Sequence, residues 1–347
     1  MVRSCGAVSA DASAGRRARV TVLLPVYNGA RHLRASIDSI LGQAFADLEL
    51  LVVDDASTDE TPSILDGYSD ARLRVLRNER NLGLTPTLNR GLKDVRTEYV
   101  ARQDADDLSD PARLAAQVSY LDAHPETALL GCAYRRIDES GRPAGTRPVP
   151  TDGVSIRWRL LFLSAFAHSS VVMRTAVLAE VGAYDESFRY AQDYELWSRI
   201  ARTHAVAAVN EPLVSYRRTG SSLTATYAGA GAEVDAISAD NIARVLAAAP
   251  GDVVDAGRLD RETAWQLLFG DYRRLDPRRA RTVAPVVLSL QRSFAIACDL
   301  GPRTARRHRL EVATVLAGRL ARLGARRGDG RACLAAGRVL ASGATRG

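Results

Sequence analysis

Hydrophobic residues near positions 20–43 change from a continuous run to a helical spacing. The run at 20–24 (VTVLL) predicts a buried strand, which Pro25 and the turn-forming pair Asn28-Gly29 bring to an end. Residues 31–43 then form one helical face from Leu33, Ile37, Ile40 and Leu41. This stretch therefore predicts a strand followed by a helix.

The alternation continues along the chain. Further strands are predicted at 48–53, 72–77 and 98–103, with helices from about Glu60 and over 84–95. Nearly continuous apolar strands that alternate with helices are typical of a parallel sheet covered on both faces. The fold class predicted is α/β, with a Rossmann-like, mostly parallel central sheet and flanking helices.

The pattern changes near Glu126. The elements predicted there are short strands (127–132, 134–138), a Pro/Gly-rich loop (141–153), a helix (154–163), the segment 168–174, helices (175–181, 192–200) and a strand pair (209–218). The Ser- and Gly-containing stretch 219–232 predicts a hinge or mobile loop. From residue 233 the chain is rich in Ala, Leu and Arg at helical spacing, which predicts an α-helical C-terminal region.

Charge is distributed unevenly over the 347 residues. The formal net charge is +7, but residues 277–347 contain 15 Arg and only three acidic residues. A basic tail favours an anionic partner, such as a membrane surface or a phosphate-bearing acceptor contacted by Arg303–Arg309 and Arg319–Arg327. Coding bias is an alternative explanation for the many arginines, because Lys93 is the only lysine. The alternative role of the tail is a helical cap that packs on the catalytic domain. Nucleic acid is not expected, since no aromatic residues interleave the charges.

Four dispersed cysteines match no metal or redox spacing, which favours free thiols. No run approaches the ~18 apolar residues of a membrane span, and residues 1–18 lack a signal-peptide core. These residues predict a disordered leader. The location expected is cytoplasmic, with peripheral contact at the inner membrane face as a further option.

Carboxylates cluster directly after the strand at 98–103. The segment EYVARQDADDLSDPARL (98–114) places Asp104, Asp106, Asp107 and Asp110 within seven residues. Clustered anions need a counter-charge, and Mg²⁺ or Mn²⁺ bound through carboxylates, waters and phosphates would supply one. The alternative is that these carboxylates belong to a solvated turn that binds no metal. Pro25–Asn28 and Asp54-Asp55 also follow strands, so three polar sites are predicted at the carboxyl edge of one sheet, where such folds bind ligands.

Five segments together carry a resemblance to a known family. TVLLPVYNGARHLRASIDSILGQ, ELLVVDDASTDET, RNERNLGLTPTLNRGL, YVARQDADDLSDPARL and AYDESFRYAQDYELWSRI occur in this order. The chain resembles a family 2 glycosyltransferase of GT-A fold over roughly residues 19–222. The resemblance implies a catalytic domain at 19–222. Composition and periodicity predict a flexible lid or linker at 223–232 and an Arg/Ala-rich helical region at 233–347.

The resemblance also implies a donor site for a nucleoside-diphosphate sugar. Pro25, Val26 and Tyr27 would lie against the nucleoside. Asp55 would accept a hydrogen bond from the base edge, which favours UDP- or dTDP-linked donors. Asp104 would reach the ribose or a metal-bound water, and Asp106 would bind the divalent cation (Mn²⁺ or Mg²⁺) under the diphosphate.

Asp193 would be the general base of an inverting transfer to an acceptor hydroxyl on a saccharide, a lipid-linked compound or a small molecule. The chain departs from the family pattern in two ways: Gln192 replaces the usual Glu, and Arg218 follows Tyr216-Arg217 where relatives carry a lid His. Arg217 or Arg218 could neutralise phosphate charge instead.

Two further residues have two interpretations each. Arg102 would contact the sugar or form a local salt bridge to a neighbouring Asp, and His168 would have a polar role near the acceptor or a structural one. For the whole chain, the alternative to an enzyme is a non-catalytic scaffold that binds nucleotide sugars and acts through its basic helical tail.

Overall fold

The computed structural model describes residues 18–218, 228–249 and 259–344. The predicted leader, except for its last residue, and residues 219–227 lie outside these ranges. By its internal contacts the chain divides into two units. The first comprises Met1–Pro148, Phe166–Tyr184 and Glu211–Arg218, and the second comprises Val149–Ala165, Asp185–Asn210 and Thr219–Gly347.

The first unit contains most of a nine-stranded mixed sheet, whose last strand in the chain begins in the second unit. Its strands are β1 (Val20–Val26), β2 (Leu48–Asp54), β3 (Leu73–Arg77), β4 (Tyr99–Arg102), β5 (Leu108–Ser109), β6 (Thr127–Ile137), β7 (Pro143–Arg147), β8 (Val172–Arg174) and β9 (Ala205–Arg217). They lie in the order β3-β2-β1-β4-β8-β6-β9-β5, and β7 pairs with β6. β3, β2, β1 and β4 are parallel, whereas β8, β7 and β5 pair antiparallel with their neighbours.

Helices flank this sheet. They are α1 (Ala30–Leu41), α2 (Thr61–Asp66), α3 (Leu84–Leu92), α4 (Arg113–Ala123) and α6 (Thr175–Val181). The apolar strand residues Val22, Leu24, Leu50 and Val52 are fully buried, as continuous apolar runs require in a sheet covered on both faces. The predicted α/β class, with a mostly parallel sheet and flanking helices, is confirmed.

The sheet differs from the sequence prediction in its second half. β6 is one continuous strand rather than two, and β9 is one strand rather than a pair. Residues 143–147, predicted as part of a loop, form an exposed strand that pairs with β6. This strand was not predictable because an edge strand outside the core lacks the alternation of buried positions that marks a strand in sequence.

The second unit is mainly helical. Its helices are α5 (Gly153–Leu160), α7 (Gln192–Thr203), α8 (Ala228–Ala248), α9 (Arg261–Leu268), α10 (Pro277–Ala297), α11 (Pro302–Arg327) and α12 (Gly330–Ala344). The prediction of a helical C-terminal region is therefore confirmed. α8 begins at Ala228, so residues 228–232 of the predicted linker are helical instead. Within the described ranges, no helix is long and apolar enough to cross a membrane.

An aromatic core joins the helices of the second unit. The Trp158 ring of α5 lies 5.3 Å from the Phe294 ring of α10 and 5.5 Å from the His308 ring of α11, measured between centroids. Both contacts are edge-to-face, a favourable geometry for aromatic pairs. The buried side chains of α10–α12 thus share one core with a helix from the middle of the chain.

Candidate functional site

The loop that follows β1 is held by the loop that follows β2. Asn28 has φ of 50°, and its Oδ1 accepts a hydrogen bond from the Thr58 N–H at 2.8 Å. The Gly29 N–H donates to Thr61 Oγ1 at 3.0 Å. Pro25 and Val26 are buried in β1, whereas Tyr27 is 50% exposed. The Tyr27 ring is therefore presented to solvent at the carboxyl edge of the sheet by a fixed backbone.

Asp55 lies beside this loop and is buried. Its Oδ1 accepts from Asn78 Nδ2 at 2.5 Å and from the Leu82 N–H at 2.8 Å, and its Oδ2 accepts from the Gly83 N–H at 2.9 Å. Gly83 has φ of +90°, which favours glycine. An ionised carboxylate offers about four acceptor positions, so about one remains for a ligand.

Asp104 is the first carboxylate after β4 and is neutralised locally. Its Oδ1 accepts from Arg102 Nη2 at 2.6 Å, and its Oδ2 accepts from Ser169 Oγ at 2.8 Å. Although burial acts to raise it, the charge and hydrogen bonds of Arg102 and Ser169 keep the pKa of Asp104 below its ordinary value. Arg102 is almost fully buried and forms the local salt bridge that was one of its two interpretations.

The surroundings of Asp106 and Asp107 disfavour their ionised forms, in contrast to those of Asp104. Burial, with repulsion from Asp104, raises the pKa of Asp106 to about 6. Burial and the charges of Asp104 and Asp106 raise the pKa of Asp107 well above its ordinary value. Asp107 Oδ1 accepts from the Arg217 N–H at 2.7 Å, while its buried Oδ2 meets no donor at hydrogen-bonding geometry among the described residues. If Asp104, Asp106 and Asp107 were all ionised, the loop would carry more negative charge than its neighbours offset.

Arg217 is buried at the end of β9 and binds the same loop. Its Nε donates to the backbone carbonyl of Asp106 at 2.8 Å, and its Nη1 donates to the carbonyls of Asp138 and Glu139 at 3.1 Å each. Its guanidinium therefore contacts carbonyl oxygens rather than a carboxylate. Arg218 is exposed and donates its backbone N–H to the carbonyl of Ile137 at 2.9 Å.

His168 is half-buried in the first unit. Its Nε2 lies 2.8 Å from the hydroxyl of Tyr184. Burial, followed by the charge of Arg102, lowers the pKa of His168 well below its ordinary value. His168 is therefore neutral at neutral pH, and it can act as a hydrogen-bonding partner but not as a cation.

The oxygen chemistry of the rim fits a hard divalent cation shared with phosphate. Within the described ranges no group of three or more His, Cys, Asp or Glu side chains is arranged to hold a metal. Mg²⁺ does not need one, because it is commonly held by one or two carboxylates together with waters and substrate phosphates. Asp106 offers one such carboxylate, and a cation would offset the charge of Asp104 that, after burial, raises the pKa of Asp106.

Asp193 belongs to the second unit. It is half-buried in the first turn of α7, and its Oδ1 accepts from the Tyr194 N–H at 2.7 Å. The helix begins after Ala191, which provides no side-chain cap. Asp193 is therefore not the N-cap residue, although the helix start favours its ionised form.

A carboxylate from α8 accepts hydrogen bonds from the backbone that leads into α7. Glu233 accepts hydrogen bonds from three consecutive backbone N–H groups, those of Arg189 at 2.9 Å and of Tyr190 and Ala191 at 2.8 Å each. Sequence reasoning missed Glu233 and also Ser169. Neither belongs to a motif, and each acts on a residue more than forty positions away.

Comparisons with known proteins agree with this architecture. The S. aureus protein TarS, residues 1–349, in a crystal structure with UDP-GlcNAc, superimposes with a TM-score of 0.56 at 19% identity, over 93% of this chain and 91% of that chain. This likeness shows that the chain has a GT-A fold.

Sequence comparison then identifies the family. The family model described as glycosyl transferase family 2 matches residues 21–182. An uncharacterized glycosyltransferase of Haemophilus influenzae is 32% identical over 219 residues, which are 60% of this chain and 68% of that protein. EpsE of Bacillus subtilis, named as a glycosyltransferase, is 35% identical over 188 residues, 52% of this chain and 66% of its own length. The chain belongs to glycosyltransferase family 2.

Proposed function

We propose that this glycosyltransferase is an inverting enzyme that uses a UDP- or dTDP-linked sugar and a divalent cation, Mn²⁺ or Mg²⁺. The observation that carries the proposal is the rim at the carboxyl ends of β1, β2 and β4. It combines an exposed ring (Tyr27), a carboxylate with about one free acceptor position (Asp55) and an under-neutralised carboxylate loop (Asp104–Asp107). The resemblance to TarS, which was crystallised with UDP-GlcNAc, supports this donor class.

Each rim residue has a separate task in the proposal. Tyr27 packs against the base, and Asp55 accepts from the N–H of the uracil or thymine edge. Asp104 is kept ionised by Arg102 and accepts from a ribose hydroxyl or a bound water. Asp106 would hold the cation, which when bound would offset the charge of the diphosphate. Arg218 is exposed at the end of β9 and is proposed to contact the diphosphate.

The transfer step is a single displacement. The acceptor oxygen forms a bond to the anomeric carbon while the bond from that carbon to the diphosphate oxygen breaks. Asp193 takes the proton of the acceptor hydroxyl, and the nucleoside diphosphate leaves with the electron pair. Attack from the opposite face inverts the anomeric configuration. His168, which is neutral, is proposed to accept or donate a hydrogen bond near the acceptor.

Thermal unfolding with nucleotides tests the donor site. UDP and dTDP should raise the melting temperature more than GDP, and Mn²⁺ should increase the shift. Asp106→Asn should remove the Mn²⁺ dependence and most transfer activity. Asp110→Asn, which directly follows β5 and lies outside the Asp-x-Asp sequence, is the matched control and should keep both. Full activity in excess chelator would disprove the metal role, and donor binding without turnover would favour the non-catalytic scaffold.

A further inference from the structure

Arg113 is the first residue of α4, and its side chain is completely buried in the first unit. Burial lowers the pKa of Arg113 to about 10, so the guanidinium is still cationic at neutral pH. It makes five hydrogen bonds, as many as it has N–H donors. The acceptors are all neutral oxygens: Gln117 Oε1 at 3.0 Å from Nε, Gln103 Oε1 at 3.0 Å and Ser109 Oγ at 2.8 Å from Nη1, and the carbonyls of Arg102 at 2.9 Å and Val171 at 3.2 Å from Nη2.

A buried arginine with neutral acceptors is an unfavourable way to fill a core. Removing a charge from water costs free energy, and well-packed apolar side chains of similar volume often stabilise a fold as well or better. The complete set of hydrogen bonds offsets this cost without giving the arginine an advantage for folding. The contribution of Arg113 therefore lies in the groups that its acceptors hold in place.

The acceptors include residues on either side of the loop Asp104–Asp107, which we call the carboxylate loop. Arg102 is the last residue of β4, before the loop, and Ser109 is the last residue of β5, after it. One guanidinium binds both, and its planar fork fixes the directions of its donors. Arg113 therefore sets the spacing between the strand that enters the carboxylate loop and the strand that leaves it.

Gln103 extends these contacts into the carboxylate loop. It is fully buried, its Oε1 accepts from Arg113, and its Nε2 donates to the carbonyl of Asp107 at 2.8 Å and to Ser36 Oγ at 3.2 Å. The Ser36 hydroxyl in turn donates to the carbonyl of Asp104 at 2.9 Å. Both ends of the loop are thus connected to Arg113 through buried neutral side chains, and the residues between them lie between two fixed points.

We propose that Arg113 is a positioning residue for the divalent cation: it holds the carboxylate loop so that Asp106 meets the metal and the donor diphosphate at a fixed place. The inference rests on the proposed metal-dependent donor site. Tyr27 and Asp55, the residues proposed to contact the nucleoside, follow other strands, β1 and β2. Loss of Arg113 should therefore weaken the metal-dependent part of donor binding and spare the metal-independent part.

Calorimetry with UDP, in Mn²⁺ and in excess chelator, tests the proposal without relying on sugar transfer. The ratio of the two dissociation constants gives the enhancement of UDP binding by Mn²⁺. Arg113→Met should reduce this enhancement by about tenfold, or remove it where the wild-type value is smaller, because outer hydrogen-bond partners of metal ligands typically change metal affinity by about 10–100-fold. UDP affinity in chelator should stay within about twofold of wild type, because the nucleoside contacts are elsewhere on the rim.

Arg174→Met is the matched control. Arg174 also holds backbone carbonyls, those of Thr127 at 3.0 Å and Leu121 at 2.7 Å, but it pairs with Tyr99 at the other end of β4. Its substitution should lower the melting temperature, yet the enhancement by Mn²⁺ should stay within about twofold of wild type. Equal losses of enhancement in the two variants would overturn the proposal, since they would show that any destabilisation of β4 weakens the metal site.

Arg113→Lys separates the guanidinium fork from its charge. Lysine keeps the positive charge, but three donors on one nitrogen cannot reach acceptors on both strands. The enhancement should therefore fall in this variant as well. An enhancement equal to that of the wild type would refute the positioning role of the fork.

Ser109→Ala is a milder variant that keeps the proposal testable should the Arg113 variants not fold. It removes one contact between Arg113 and β5, and the enhancement should fall by about threefold or more, the scale of one neutral hydrogen bond. An unchanged enhancement would count against the proposal. Circular dichroism measures the folding of each variant.

The wild-type protein distinguishes this inference from the proposed function. UDP binding that Mn²⁺ does not strengthen in the wild type would contradict the proposed cofactor and this inference together. A wild-type enhancement that survives in Arg113→Met would overturn only the role of Arg113.

Discussion

Neighbouring carboxylates of the rim differ in charge state because their partners differ. Asp104 has Arg102 within hydrogen-bonding distance, so the pKa of Asp104 is lowered. Burial and the charge of Asp104 raise the pKa of Asp106, two residues later, to about 6. The Asp-x-Asp sequence therefore contains one carboxyl that a neighbouring cation keeps ionised and one whose ionisation is opposed by burial and by charge repulsion.

Asp55→Ala should affect both folding and donor binding. The substitution removes an acceptor shared by Asn78 and the Leu82 and Gly83 N–H groups, and we expect a loss of about 2–4 kcal/mol in the free energy of unfolding. Affinity for UDP should fall by about 1.5–3 kcal/mol, the range for a charge-assisted hydrogen bond. Urea unfolding and calorimetry measure the two effects. Tighter wild-type binding of GDP than of UDP or dTDP would contradict the base-edge role.

Asp193→Asn tests the general base. Because Ala191 and not Asp193 precedes the helix, and because Asn retains a side-chain oxygen, folding and donor affinity should change little. The transfer rate should fall by ~10²-fold or more, the usual scale for a lost acid–base group. Steady-state kinetics with a donor-binding control measures this. Transfer at nearly the wild-type rate would show that another group accepts the proton.

At the scale of elements, the start of α7 depends on α8. A helix leaves its first N–H groups unpaired, and the backbone that leads into α7 uses the carboxylate of Glu233 instead of a local cap. The negative charge also lies at the positive end of the helix dipole. Glu233 is therefore a positioning residue for the turn that carries Asp193.

Glu233→Ala should lower kcat while leaving donor affinity nearly unchanged, because Glu233 binds the backbone before Asp193 and none of the proposed donor-binding residues. Glu233→Gln keeps one acceptor oxygen and should restore part of the rate. Asp235→Ala, two residues further on the same helix, is the matched control and should have little effect. Equal reductions in kcat for the Glu233→Ala and Asp235→Ala variants would show that Glu233 has no specific role.

At the scale of the molecule, the second unit is assembled from three parts of the chain. Residues 149–165 and 185–210 belong to the predicted catalytic domain, yet they fall in one unit with residues 219–347. Trp158, Leu161 and Phe162 share a core with the C-terminal helices. Asn241 Nδ2 donates to the carbonyl of Leu160 at 2.8 Å and to Ser198 Oγ at 2.9 Å. The helical region therefore completes the interior of the unit that contains Asp193.

A chain shortened to residues 1–222 should not fold as the full chain does. The truncation would expose Trp158 and Phe162, which are buried in the aromatic core. Exposed large apolar surface destabilises and promotes aggregation. Thermal unfolding and size-exclusion chromatography measure this. A soluble, cooperatively unfolding fragment with a similar melting temperature would show that 19–222 is independent of the helical region.

Local patterns in the sequence determined the order of β1–β4 and their helices, and they placed Tyr27, Asp55 and Asp104 at one edge. Strand and helix periods are properties of neighbouring residues, and parallel strands bring their carboxyl ends together whatever else the chain does. The same reasoning wrongly predicted a loop at β7, because an exposed edge strand lacks the buried positions that mark a strand in sequence. It also wrongly predicted a linker at the start of α8, because a Gly/Ala-rich stretch is also compatible with a helix.

Only the tertiary structure decided which groups meet across long separations. It determined that Ser169 donates a hydrogen bond to Asp104 and that Glu233 accepts hydrogen bonds from the backbone N–H groups before α7. It also determined that five arginines from three helices line one cavity. It also determined that burial raises the pKa of Asp106 while Arg102 lowers that of Asp104. Desolvation and charge pairing depend on distances in space, and residue order alone does not specify those distances.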